Sequence, residues 1–171
     1  VVLSSPYLRA RETTGLLVAA AGLDAQVLVD ERLREREFGV LDRLTHAGIA
    51  ERFPEQAELR RFLGKFYHRP PGGESWCDVG LRVRAVLGDL AREHAGERVL
   101  AVTHEVVIKM ARYVLERLDE AEILAIDRAA ALAARRQVLL SGDTCIRSML
   151  KALLGYSMSS VAIAARCRLR N

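Results

Sequence analysis

The sequence predicts an α/β domain organised on a mainly parallel sheet, and three observations carry that expectation. Val1 to Leu3, an apolar segment at helical spacing and then Gln26 to Val29 make a β-α-β opening. Val99-Leu100-Ala101-Val102, following Arg98, is a continuous apolar run of the kind buried on both faces of a parallel sheet. Helix-spaced segments flank that run on both sides, so strands alternate with helices along the chain.

Each element has its own local reason. The first strand stops at Ser4-Ser5-Pro6, and Leu8, Leu16, Leu17 and Ala20 then recur at helical spacing. Pro6 suits a first helical position, where a missing N–H costs nothing, and Gly22 suits the stop. Asp30 to Thr45 is dense in charge and reads as a loop over the sheet edge. From about Ile49 to Phe66 a weak helical period (Ile49, Phe53, Leu59, Phe62, Leu63, Phe66) is broken by Pro54. His68-Arg69-Pro70-Pro71-Gly72-Gly73 continues no helix. Ser75 with Asp78 resembles a capping box, opening a helix through Val79, Val83, Val86, Leu87 and Leu90. After the apolar strand, Val107 to Leu118 forms a helix presenting Val107, Met110, Ala111, Val114, Leu115 and Leu118 on one face.

A chain of 171 residues makes one domain, and its 50% hydrophobic and 28% charged composition excludes whole-chain disorder. The longest apolar run, Leu16 to Ala21, falls far short of the roughly 18 residues that span a bilayer. The net charge of +4 hints at nucleic acid until it is located. Residues 135–171 hold Arg135, Arg136, Arg147, Lys151, Arg166, Arg168 and Arg170 against the single acid Asp143, so the rest of the chain is slightly acidic. The charge split sets off a domain over 1–134 from an atypical basic tail over 135–171, which has no strand-and-helix rhythm that completes the sheet. In the tail, Ile146, Met149, Leu150, Leu153 and Leu154 align as an amphipathic helix whose default role is core-facing; neither nucleic acid nor membrane is an expected partner. Cys77, Cys145 and Cys167 are widely spaced with no CxxC pair, and nothing at the start reads as a signal peptide, which points to a reducing, cytoplasmic setting.

Ligands of parallel α/β sheets bind beyond the C-terminal ends of the strands, which here means Ser4 to Arg9 and Thr103 to Glu105. An arginine fork, an imidazole and a helix N-terminus together match a phosphoryl group. Taken in order, Ser4 to Thr13, Leu33-Arg34-Glu35-Arg36-Glu37-Phe38-Gly39, Pro71-Gly72-Gly73-Glu74-Ser75 and Val102-Thr103-His104 resemble the successive motifs of the histidine phosphatase superfamily, whose fold is phosphoglycerate mutase-like. The resemblance covers residues 1 to about 128 and implies a three-layer α/β/α domain. It implies that Arg9 binds the phosphoryl group, that His104 binds it and stabilises charge in the transition state, and that Glu35 protonates the leaving oxygen. Ser5 joins Arg9 and His104 as a substrate-binding residue, and no metal or other cofactor is implied.

Two departures stand out. Members of the family open with a strand ending in Arg-His-Gly, whose histidine accepts the phosphoryl group, and Arg-His-Gly is not found in the 171 residues. The expectation is a chain that lacks the first strand, leaving a sheet edge open and the chain by itself inactive. His46 and His68 fall in loops and His94 in the last turn of a helix, so none substitutes. Glu105 follows His104 where many relatives carry glycine, and its carboxylate either raises the His104 pKa or disturbs anion binding. The activity expected of the family pattern is hydrolysis of a small phosphomonoester through a phosphohistidine. A mutase is disfavoured by the short segment between Gly39 and Gly73, and the alternative from another class is a binding protein that kept half a pocket.

Overall fold

Alternation along short strands decides the layers of this protein. The computed structural model describes residues 1–132, 139–140 and 161–166. Its strands are β1 (Val2–Ser4), β2 (Val27–Val29), β3 (Arg98–Thr103), β4 (Leu139–Leu140) and β5 (Val161–Arg166). The helices are α1 (Leu8–Ala20), α2 (His46–Arg52), α3 (Pro54–Tyr67), α4 (Trp76–Glu93), α5 (Glu105–Leu115) and α6 (Glu120–Leu132), with 3₁₀ turns at Glu31–Leu33 and Gly39–Leu41. The sheet order is β2-β1-β3-β5-β4, and β2, β1 and β3 are mutually parallel.

Successive side chains on a strand point to opposite faces. Val2, Leu100 and Val102 therefore pack on one side with Ala10 and Leu17 of α1. Leu3 and Val99 pack on the other with Val79, Val83, Val86, Val107 and Met110, joined by Trp76 and Ile123. Each such side chain fully buried contributes about 1.5–3 kcal/mol. The three-layer arrangement and the two-sided burial of the apolar run at 99–102 follow directly.

Several helix boundaries are where local chemistry puts them. Gly22, at φ +59°, ends α1: its N–H donates to Ala19 O and that of Leu23 to Val18 O, the paired bonds of a Schellman stop. Ser75 and Asp78 make a true capping box, with Asp78 N–H on Ser75 Oγ at 3.2 Å and Ser75 N–H on Asp78 Oδ2 at 2.7 Å. Pro54 separates α2 from α3 by occupying the first turn of the second.

The structure corrects other expectations. Helix α1 begins at Leu8 with Tyr7 as its cap, so Pro6 lies outside it. Its buried stripe is Ala10, Thr14 and Leu17, whereas Leu8 and Leu16 are 69% and 63% exposed. Small residues win that face because α1 lies close enough for the Thr14 hydroxyl to donate to Ser4 Oγ at 3.0 Å. His46 is the first residue of α2, capped by Thr45, and does not sit in a loop. The helix expected over 107–118 runs from Glu105 to Leu115, and α6 was not foreseen. Its signal is a reciprocal cap, Glu122 N–H on Asp119 Oδ1 and Asp119 N–H on Glu122 Oε2. The tail, expected to hold no rhythm that completes the sheet, supplies β5, which pairs antiparallel with β3 from Arg98 opposite Arg166 to Thr103 opposite Val161. The helical stripe at 146–154, Cys145 and Cys167 lie outside the described residues.

Gly39, at φ +54°, packs its backbone onto another loop: a Cβ there would stand 2.1 Å from Pro71 O and 2.6 Å from Gly73 N. Gly39→Ala is expected to lower stability by about 2 kcal/mol or more, read as a shift of the urea midpoint, with Gly22→Ala costing less because nothing lies near its Cβ.

Candidate active site

Parallel pairing brings two strand ends to one level. Ser4 stands opposite Val102, and Ser5 N–H donates to Val102 O at 2.9 Å. The next residues out are Ser5 and Pro6 on one strand and Thr103 and His104 on the other, and α1 and α5 start immediately beyond. Both helices thus begin at the same end of the sheet, with the positive ends of their dipoles and their free N–H groups there. Thr103 holds the neighbouring loop by donating its hydroxyl to Leu33 O at 2.7 Å.

His104 is fully buried and engaged at both ring nitrogens. Its Nδ1 lies 3.1 Å from Arg9 Nη2 and its Nε2 lies 2.8 Å from Ser5 Oγ. A guanidinium only donates, so Nδ1 accepts, and the neutral ring carries its proton on Nε2, which donates to Ser5. Burial, with Arg9 and Arg82 nearby, pushes the His104 pKa down to about 4. Tyr7 closes one side: its ring meets His104 edge-on at 5.1 Å and lies beneath the Arg9 guanidinium at 4.9 Å. The Tyr7 hydroxyl donates to Glu37 Oε1 at 3.1 Å.

Glu35 stands beside this group without bonding to it. Arg36 N–H donates to Glu35 Oε1 at 2.9 Å. Burial raises the Glu35 pKa, against that hydrogen bond and the pull of Arg9 and Arg82, and Glu105 adds to the rise. The charges acting on His104 are those of Arg9 and Arg82, both lowering its pKa, and that of Glu105 acts on Glu35.

Residues the sequence reading passed over hold the Glu35 loop in place. Glu74 accepts from Arg82 Nε at 2.9 Å, from Arg34 Nη2 at 3.0 Å and from Glu37 N–H at 3.1 Å. Burial alone would raise the Glu74 pKa, but the Arg82 bonds, the Glu37 N–H and the charges of Arg82 and Arg34 together hold the carboxyl below its ordinary value. Arg82 also donates to Arg32 O at 2.6 Å, and the buried Arg36 donates to Glu74 O at 2.6 Å. Glu74 belongs to the Pro71 to Ser75 motif, whereas no local pattern singles out Arg82 on α4. Among the described residues no group of three or more His, Cys, Asp or Glu side chains could hold a metal ion, and no helix is long and apolar enough to cross a membrane.

The remaining histidines lie apart from this constellation. His68 is buried on Gln56, at 3.2 Å. His94 follows α4, at the opposite end of the sheet from the C-terminal end of β3, and pairs with Glu97.

The family model of the histidine phosphatase superfamily (branch 1) matches residues 1–133. The chain belongs to this superfamily. It is similar to a bifunctional protein of Mycobacterium tuberculosis, 43% identical over 109 residues, covering 64% of this chain and 29% of that one. A 2,3-bisphosphoglycerate-dependent phosphoglycerate mutase of Methylobacterium radiotolerans is 33% identical over 126 residues, covering 72% and 59% of the two chains. Among solved structures, a mycobacterial glucosyl-3-phosphoglycerate phosphatase superposes with TM-score 0.60 at 32% identity, covering 73% of this chain and 61% of that one. The chain therefore spans less than two thirds of the length of each of these relatives.

The depressed pKa of His104 has a consequence for stability. Between pH 6.5 and about 4 the unfolded histidine takes up a proton that the folded one refuses, so stability falls as pH is lowered through that window. The loss is expected to be on the order of 2 kcal/mol. In urea titrations, His104→Gln removes that increment; parallel stability–pH curves for the two chains would contradict it.

Proposed function

We propose that this chain carries the phosphoryl-binding side of a phosphomonoesterase site, serving hydrolysis of a small phosphorylated substrate through a phosphohistidine. The observation that carries this reading is the contact of Arg9 and Ser5 with the two nitrogens of a buried His104, at the start of two helices. Arg9 offers its planar fork to phosphoryl oxygens. An arriving dianion draws the Arg9 guanidinium off Nδ1 of His104, and that nitrogen takes a proton and donates as the equatorial oxygens turn negative. Ser5 orients His104 through Nε2. Glu35, whose carboxyl is biased towards its protonated form, delivers a proton to the leaving oxygen.

The phosphoryl acceptor that the family resemblance implies is a histidine in Arg-His-Gly, and these 171 residues do not contain that motif. His104 is the histidine of the constellation, and it is committed to Arg9 and Ser5. The chain by itself accordingly binds phosphate without turning over an ester. Hydrolysis is favoured over mutase chemistry because the segment between Gly39 and Gly73 is short and taken up by α2 and α3. We infer a cytoplasmic setting from the cysteine pattern.

Isothermal titration of inorganic phosphate and of vanadate tests the binding half of this reading. Arg9→Ala is expected to weaken both by roughly tenfold or more, the worth of a charge-assisted hydrogen-bond pair. Equal binding by the two chains would overturn it. With an aryl phosphate, the unaltered chain is expected to show no turnover above buffer; turnover abolished by His104→Ala would show that it has an acceptor after all.

A further inference from the structure

Glu105 is the first residue of α5 and directly follows His104. Its carboxylate bonds to Lys109 one turn on, whose side chain is 3% exposed and whose Nζ also meets Asp127 Oδ1 at 2.5 Å. Asp127 in turn takes Lys65 Nζ from α3 at 2.5 Å. The two ammonium groups lie 5.1 Å and 5.9 Å from the Trp76 ring. Lysine and carboxylate thus alternate across α3, α6 and α5, in the order Lys65, Asp127, Lys109, Glu105. Neither lysine bonds to Arg9, His104 or Glu35.

The ends of this chain of charges differ. Lys109 is shared between two carboxylates, so it compensates Glu105 only in part. Glu105 is also the exposed member, at 68%, at the head of the helix that starts at the site. Its charge is felt at Glu35. Directly after His104 and open to solvent, Glu105 stands at the rim of the phosphoryl-binding side, where the alcohol part of a bound ester would extend.

We propose that Glu105, fixed by Lys109, selects the leaving group, favouring phosphomonoesters of neutral hydroxylated alcohols over those that carry a carboxylate or a second phosphate. This rests on the phosphomonoester reading above and names its substrate class. An ionised carboxylate accepts hydrogen bonds from hydroxyl groups, and it repels an anionic substituent placed beside it. A glutamate at a helix start paired with a lysine four residues on also steadies the helix, at a few tenths of a kcal/mol. That structural role predicts no change in the ratio of ligand affinities, and selection does.

The test is titration of the full chain and of Glu105→Gln with inorganic phosphate, glucose 6-phosphate and 3-phosphoglycerate at low salt. The unaltered chain is expected to bind glucose 6-phosphate more tightly than 3-phosphoglycerate. In Glu105→Gln, 3-phosphoglycerate gains roughly three- to fivefold, the range of an exposed charge pair, while inorganic phosphate changes by less than about twofold. Glu105→Asp, which keeps the charge, is expected to keep the original ratio. An unchanged ratio in Glu105→Gln overturns the selection role while Arg9-dependent phosphate binding leaves the phosphomonoester reading standing. Failure of the unaltered chain to bind inorganic phosphate overturns both.

Discussion

Because Ser4 pairs with Val102, the chain leaves two neighbouring parallel strands at one height and turns at once into two helices. That single register decides what the site is made of. It puts Ser5 against one nitrogen of His104, and the first turn of α1 swings Arg9 onto the other. A slip of one residue would turn Val2 and Leu3 to the wrong layers and separate Ser5 from His104 as well. The core and the Ser5–His104–Arg9 group are therefore specified by the same pairing.

The bonds of His104 also define its charge. A permanently protonated donor on Nδ1 leaves a neutral ring one choice of tautomer, and burial removes the water that would support a second proton. The resting site is then an arginine beside a neutral imidazole.

Much of this could be read along the sequence where the cause is local. Gly22, Pro54 and the Ser75–Asp78 pair act within one turn, and their structures follow the reading. Arg9, Ser5 and His104 stand next to strand ends, where chemistry concentrates in parallel sheets. Non-local causes were not legible. Arg82 and Glu74 meet eight residues apart through a helix cap and a loop, yet Arg82 also reaches Arg32 on a different segment. The buried face of α1 follows its distance from the sheet, which selects Ala10 and Thr14 over larger leucines. The strand at 161–166 finds β3 across about a third of the chain's length, and no periodicity of its own announces it.

The contact of Gly39 with Pro71 and Gly73 is backbone against backbone, with no side chain between to yield. Glu74 N–H on Glu37 O and Val40 N–H on Pro71 O lock the same two loops, and Ser75 passes the restraint to α4. The loop bearing Glu35 is thus tied by backbone hydrogen bonds to the start of the long helix. Where Glu35 stands is set by how α4 seats on the sheet through Val79, Val83 and Val86, so the layer that stabilises the domain also positions that carboxyl.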